Sequence, residues 1–167
     1  LLKQFSNDSF LINATSKILL KKDRDSGKYQ YYTTDFKTQD NGMGRWAISV
    51  ATEYGVPVPT IAYALMQRFL SQKKGFSYVP KTKGWDAKYE KDIVKNIFYG
   101  LQFCFLIIIN QGFDLMDISK IIYKTKINHL KVLKVWQRGS ILKSKLLDFL
   151  IKEKSVRSQE HFFLKNF

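Results

Sequence analysis

The spacing of apolar and polar residues predicts helices along most of this chain. Apolar residues recur at three- and four-residue intervals, the period of one helix face, in the segments 6–20, 46–55, 60–72, 86–110, 114–126 and 132–154. Ser6 or Asn7 suits the N-cap of the first segment, and Pro59 suits the first turn of the third. We therefore predict an all-α fold, a helical bundle.

The segment 97–109 is nearly all apolar and stands apart from the amphipathic segments. A helix that is apolar on every side belongs in the middle of a bundle, where other helices cover it. The run is shorter than the ~20 apolar residues needed to cross a bilayer, and Gly100 and Gln102 interrupt it. We expect a buried core helix and no membrane span.

Length and composition favour one domain. The chain has 167 residues of which 45% are apolar, enough for a core without disulfides. We assign residues 1–154 to a single helical domain and 155–167 to a basic, aromatic tail that favours contact with a partner or a missing continuation. The chain opens at Leu1 rather than methionine, as a fragment would. Cys104 is the single cysteine and is expected to be a buried, reduced thiol, which favours an intracellular location, the cytoplasm first, with an organelle left open.

The net charge of +14 raises a hypothesis of its own. From residue 115 to 167 there are 12 basic and 4 acidic residues, a balance that attracts polyanions such as nucleic acids. The alternative is a lysine-rich composition spread over solvated helix faces, without an arginine-rich cluster. Nucleic-acid binding is thus the less favoured function.

One stretch has a more tightly specified backbone than the rest, the segment Asn41-Gly42-Met43-Gly44-Arg45-Trp46 followed by a Gly-Val-Pro break at 55–57. Two glycines one residue apart predict a tight loop whose backbone amides can face a ligand. Arg68, on the next predicted helix, would then share a pocket with the loop and suit a phosphate or carboxylate. The alternative is an ordinary interhelical turn with a solvated Arg68.

Other chemistry is poorly represented in the sequence. His129 and His161 have no cysteine or carboxylate at metal-ligand spacing, so we expect no zinc site. The chain contains no nucleophile elbow, phosphate-binding P-loop or dinucleotide fingerprint. Any function in small-molecule binding therefore rests on the glycine segment.

Landmark segments occur in one order along this chain: Asp8-Ser9-Phe10, Gly42-Met43-Gly44-Arg45-Trp46, Gly55-Val56-Pro57, Arg68-Phe69-Leu70-Ser71, Gln111-Gly112-Phe113, and the segment from Trp136-Gln137-Arg138-Gly139 to Ser144. They resemble the C-terminal helical domain of 6-phosphogluconate dehydrogenase. That family typically reads Gln-Lys-Gly-Thr-Gly-Lys-Trp-Thr, Tyr-Gly-Val-Pro and Ala-Arg-x-Leu-Ser with the separations found here. The resemblance covers residues 7 to 150 and implies an all-α domain that builds most of a homodimer interface.

The resemblance also implies a reaction that this chain does not complete alone. Family members oxidise 6-phosphogluconate with NADP and release carbon dioxide, giving ribulose 5-phosphate in the pentose phosphate pathway. Their catalytic lysine and glutamate, and their nucleotide-binding domain, lie on segments that precede the matching region. We therefore expect no catalytic residue on this chain, no activity from it alone, and a homodimer or larger assembly formed through apolar helix faces and the tail.

For the substrate phosphate, the resemblance implies a partly altered site. Arg68 matches the family's phosphate-binding arginine, and the loop backbone is supplied by Gly42 and Gly44. Asn41 stands where the family has a lysine, and Met43 stands where it has a threonine, which favours weak phosphate binding. The alternative function is a non-catalytic structural or assembly subunit that reuses the domain. Arg45, Trp46 and Gly55 match positions that support the fold.

Overall fold

The computed structural model describes residues 9–30, 38–73 and 90–156, and the regular structure in these ranges is helical. The helices are α1 (Phe10–Leu20), α2 (Met43–Glu53), α3 (Pro59–Ser71), α4 (Glu90–Asp117), α5 (Ser119–Ile122), α6 (His129–Gly139) and α7 (Lys145–Val156). The all-α prediction is confirmed. Within the predicted tail 155–167, residues 157–167 lie outside the described residues.

Contacts group the described residues into two compact units. The first unit contains α1, α6 and α7, and the second contains α2 to α5. The prediction of one domain over residues 1–154 stays a prediction. Because the glycine segment and Arg68 both fall in the second unit, the candidate site can be described within that unit alone.

In the first unit, α6 packs against α7. Leu133 and Leu147 are 0% exposed and form the centre of this packing. Ser144 begins α7, since its Oγ accepts a hydrogen bond from Leu147 N (3.3 Å) and its own N–H donates to Gln137 Oε1 (3.0 Å). These bonds pair N–H groups that the start of a helix leaves without partners.

Helix α1 begins later than the sequence predicts. Ser9 is extended (φ −154°) and is the N-cap residue, so the helix starts at Phe10 rather than near residue 6. The extended backbone lets Phe10 N donate to Lys143 O (2.9 Å), and Ser9 forms an antiparallel bridge with Ser144. The start of α1 is therefore fixed to the corner between α6 and α7.

In the second unit, α2, α3 and α4 pack against one another. Helix α2 ends in a Schellman motif, in which Val56 N donates to Ala51 O (2.8 Å) and Gly55 N donates to Thr52 O (3.4 Å). Gly55 has φ +69°, a left-handed conformation that glycine adopts without steric cost. Pro59 lies in the first turn of α3, as predicted.

Helix α4 is longer and less covered than the sequence predicts. It runs unbroken through Gln111 and Gly112, where we expected a boundary, and the Gln111 side chain is buried and bonded to the start of α3. Gln111 Oε1 accepts from Ile61 N (3.3 Å), and its Nε2 donates to Thr60 Oγ1 (3.2 Å). The side chain thus satisfies a backbone donor in the first turn of α3.

The expected burial of α4 on every side is wrong. Ile97, Leu101 and Ile108 are 38–50% exposed, and Cys104, predicted to be buried, is also exposed. The segment Asp92–Ile122 is long and apolar enough to cross a membrane by length and composition, because the helix extends on both sides of the apolar run 97–109. One face of α4 packs against α2 and α3, although only 11% of its most apolar window is buried.

Candidate functional site

The segment that leads into α2 lies along α3 and is attached to it at both ends. Thr38 N donates to Ser71 Oγ (3.3 Å), and Gln72 Nε2 donates to Thr38 O (2.8 Å). At the other end, a Cβ added to Gly44 would lie 3.1 Å from Leu65 Cδ1. We call residues 38–44 the anchored segment.

The two glycines of the anchored segment have different roles. Gly42 is the N-cap residue of α2 and has φ +89°, so only this glycine supplies a left-handed turn. Gly44 lies inside the first helical turn, because α2 begins at Met43 rather than near Trp46 as predicted. Its missing side chain instead allows α2 to approach Leu65 of α3 closely.

Asp40, which sequence reasoning did not single out, organises the turn. Its carboxylate is 7% exposed, and Oδ1 accepts a hydrogen bond from Gly42 N (3.0 Å). Oδ2 lies 2.7 Å from Arg45 Nε as an ion pair, without the alignment that a hydrogen bond requires. An aspartate two residues before a glycine with positive φ is the sequence pattern that indicates such a turn.

Asn41 and Met43 bring no charge to the anchored segment. Asn41 Oδ1 accepts a hydrogen bond from Met43 N (3.3 Å), so its side chain completes the start of α2. Both side chains are exposed. The N–H groups of Gly42 and Met43 are therefore bonded to Asp40 and Asn41, whereas we expected the loop amides to face a ligand.

Arg68 lies on α3 beside the anchored segment. Leu65, Arg68 and Gln72 are separated by three and four residues and share one face of the helix, and Leu65 and Gln72 contact the two ends of the segment. The Arg68 side chain is exposed and forms no ion pair with the described residues. Its turn of α3 thus lies between the two attachment points, with a cation available to solvent.

The remaining predicted residues of the segment are also located. The Arg45 side chain is 65% exposed although its Nε is paired with Asp40. Trp46 is largely exposed on α2 and does not fill the core of its unit. No group of three or more potential metal ligands occurs in residues 9–30, 38–73 and 90–156, and His161 lies outside them.

Comparison with protein families gives one match over almost the whole chain. The family described as 6-phosphogluconate dehydrogenase, C-terminal domain, matches residues 2–166. This chain belongs to that family. The assignment agrees with the all-α fold and with the order of the sequence landmarks.

Several 6-phosphogluconate dehydrogenases are similar to this chain. A 6-phosphogluconate dehydrogenase, NADP(+)-dependent, decarboxylating, of Bacillus subtilis (strain 168) is 27% identical over 162 residues, covering 92% of this chain and 34% of the relative. The decarboxylating enzymes of Homo sapiens and Drosophila melanogaster are 31% and 32% identical, covering 84% of this chain and 30% of each relative. The chain therefore spans about a third of the length of these relatives.

The landmarks that resemble the 6-phosphogluconate dehydrogenase family have structural roles in this chain. Gly55 and Val56 close α2, Gln111 pairs with the start of α3, and Ser144 begins α7. At the turn of the anchored segment this chain has Asp40, Asn41 and Met43, none of which brings a positive charge.

Proposed function

We propose that this chain is the helical domain of an NADP-dependent, decarboxylating 6-phosphogluconate dehydrogenase and that Arg68 binds the substrate phosphate. The observation that carries the proposal is the position of Arg68, an exposed guanidinium on the turn of α3 that runs beside the anchored segment. A guanidinium binds a phosphate through two parallel N–H···O bonds and keeps its charge at any physiological pH. NADP and the catalytic lysine and glutamate belong to parts of the enzyme outside the matching region.

The anchored segment is expected to hold a phosphate weakly. A lysine and a threonine of the family pattern are replaced by side chains without positive charge or hydroxyl, and each lost charge-assisted bond costs about 1.5–3 kcal/mol. Asp40 adds a carboxylate whose charge is matched, within the described part of the chain, by Arg45. Since the catalytic pair is also absent from the matching region, we expect no turnover of 6-phosphogluconate by this chain alone.

We further propose that a second copy of the chain covers α4 and that the protein acts inside the cell. Ile97, Leu101, Cys104 and Ile108 recur at four- and three-residue intervals and form an exposed apolar stripe. Such a stripe is costly in water and suits a matching helix face. Leu101→Lys should lower the mass measured by light scattering from that of a dimer to that of a monomer, whereas Val135→Lys should not.

A specific observation favours a second function, a non-catalytic assembly subunit. The two substitutions at Asn41 and Met43 remove phosphate ligands while Gly55, Gln111 and Ser144 still perform their structural roles. In this alternative the domain keeps its packing and its apolar surfaces, and no longer binds 6-phosphogluconate.

Calorimetric titration with 6-phosphogluconate, with gluconate as the unphosphorylated control, separates the two functions. The substrate-binding function predicts binding that Arg68→Gln weakens by about 10- to 150-fold, the equivalent of about 1.5–3 kcal/mol, and that Lys73→Gln leaves unchanged. The double variant Asn41→Lys, Met43→Thr should bind more tightly. Absence of binding by both the native chain and the double variant would refute a substrate site and favour the assembly subunit.

A further inference from the structure

Both compact units of the chain are basic. The first unit, residues 1–35 and 127–167, contains 15 basic and 7 acidic residues, and the second unit, residues 36–126, contains 13 basic and 7 acidic residues. The total charge therefore does not distinguish one surface from another, and a candidate site for an anion has to come from a local arrangement of cations.

Helix α6 carries such an arrangement of cations on a single exposed face. Lys131, Lys134 and Arg138 are exposed, are separated by three and four residues, and span ~10 Å along the helix. We call them the basic stripe. Helix α6 contains no acidic residue, and none of the three cations forms an ion pair with any described residue. Their mutual repulsion is therefore left uncompensated within the described part of the chain.

The surroundings of the basic stripe identify the kind of anion it suits. A membrane-bound helix inserts an apolar face, but the apolar face of α6 is occupied, since Leu133 is 0% exposed and packs in the core with α7. Val135 is the one exposed apolar side chain of α6. Gln137, which could read a base edge, is engaged with Ser144 N. What remains is a row of cations without a means of reading sequence.

We propose that the basic stripe binds the phosphate backbone of double-stranded nucleic acid without sequence preference. A duplex presents one negative charge per ~1.7 Å of its axis, and neutralising its phosphates releases condensed counterions. The site lies in the first unit and uses no residue of the anchored segment. Duplex binding by the basic stripe can therefore be tested independently of 6-phosphogluconate binding.

Fluorescence anisotropy of a labelled DNA duplex, titrated with the full chain at several salt concentrations, tests the proposal. The stripe variant carries Lys131→Gln, Lys134→Gln and Arg138→Gln. The control variant removes the same charge from the second unit through Lys73→Gln, Lys95→Gln and Lys120→Gln. Three phosphate contacts contribute about 2.7 to the slope of log affinity against log salt. When the salt is raised from ~50 to ~200 mM, the affinity of the native chain for the duplex should therefore fall by a factor ~40 times larger than that of the stripe variant.

The control variant should retain the native salt slope, and circular dichroism should show equal helix content in all three proteins. Equal reductions of the slope in the two variants would overturn the proposal, because binding would then follow net charge rather than the stripe. Absence of duplex binding at ~50 mM salt would overturn it as well. Binding to phosphatidylserine vesicles without binding to the duplex would assign the surface to a membrane instead.

Discussion

Replacement of Gly55 by alanine isolates the energetic contribution of one backbone conformation. Gly55 has φ +69°, and a Cβ added there would meet no atom within 4 Å. The entire cost of Gly55→Ala therefore comes from the left-handed backbone, about 1–2 kcal/mol for a residue with a Cβ. The Schellman bonds of Gly55 N and Val56 N depend on this conformation, so we expect α2 to be less stable at its C-terminal end.

Gly100 provides the matched control. A Cβ at Gly100 also meets no atom within 4 Å, but Gly100 lies inside α4 with ordinary helical φ. Gly100→Ala should therefore stabilise the helix by about 0.8–1.0 kcal/mol. The two alanine variants differ in backbone conformation and not in crowding, and their free energies of unfolding should differ by about 2–3 kcal/mol.

Urea unfolding followed by circular dichroism measures this difference. For a chain of this size, 1 kcal/mol corresponds to about 2–4 °C in Tm, so thermal unfolding should show Gly55→Ala below and Gly100→Ala above the native chain. Gly55→Asn should lie between Gly55→Ala and the native chain, since asparagine tolerates the left-handed conformation better than alanine. A Gly55→Ala variant as stable as the native chain would refute the reasoning.

Three further predictions follow from single residues. Leu133→Ala should lower the free energy of unfolding by about 2–5 kcal/mol, because Leu133 is 0% exposed. Val135→Ala, at an exposed position of the same helix, should change it little. Equal effects of the two variants in chemical denaturation would contradict the packing described for α6. Gln111→Ala should cost about 1–3 kcal/mol, because Ile61 N and Thr60 Oγ1 lose their partner, and faster amide exchange at Ile61 is the measurement that locates the loss. The hydrogen bonds from Ser26 to Asp23 hold the pKa of the Asp23 carboxyl below its ordinary value of 3.8. Their contribution to the turn is therefore fully present at a pH above 3.8, and it is lost as the pH falls through the lowered pKa. Ser26→Ala removes the hydroxyl bond and keeps the larger contribution of the backbone N–H, so the pKa measured by NMR should move part of the way back towards 3.8, and an unchanged titration would exclude the hydroxyl contribution.

Periodicity and capping chemistry predicted the helical fold and the turn between α2 and α3 well. Gly55 followed by two prolines indicates one helix ending and another beginning, since glycine allows the left-handed turn and proline suits a first helical turn. The start of α2 was predicted too late because Gly44 was taken for a loop residue. Its contact with Leu65 depends on tertiary packing, and a residue pattern does not show which helix lies opposite.

The candidate site was predictable in its location and not in its internal bonding. The position of Arg68 one helix after the glycines follows from spacing along the chain. The bonds from Gly42 N to Asp40 and from Met43 N to Asn41 do not, because they depend on backbone angles within the turn. Likewise, the apolar pattern of α4 predicts that its surface is buried against other residues, and it does not indicate whether these residues belong to the same chain or to another chain.

The double attachment of the anchored segment to α3 fixes its length. Inserting or deleting one residue between Thr38 and Gly44 would displace one attachment by ~3.5 Å, further than a hydrogen bond or a helix contact can follow. Exchanging side chains at 40, 41 or 43 leaves both attachments in place. Packing therefore constrains the number of residues in this loop and leaves the side chains at 41 and 43 free to vary. A loop of this length is accordingly what the two attachments require, whether or not its side chains bind a ligand.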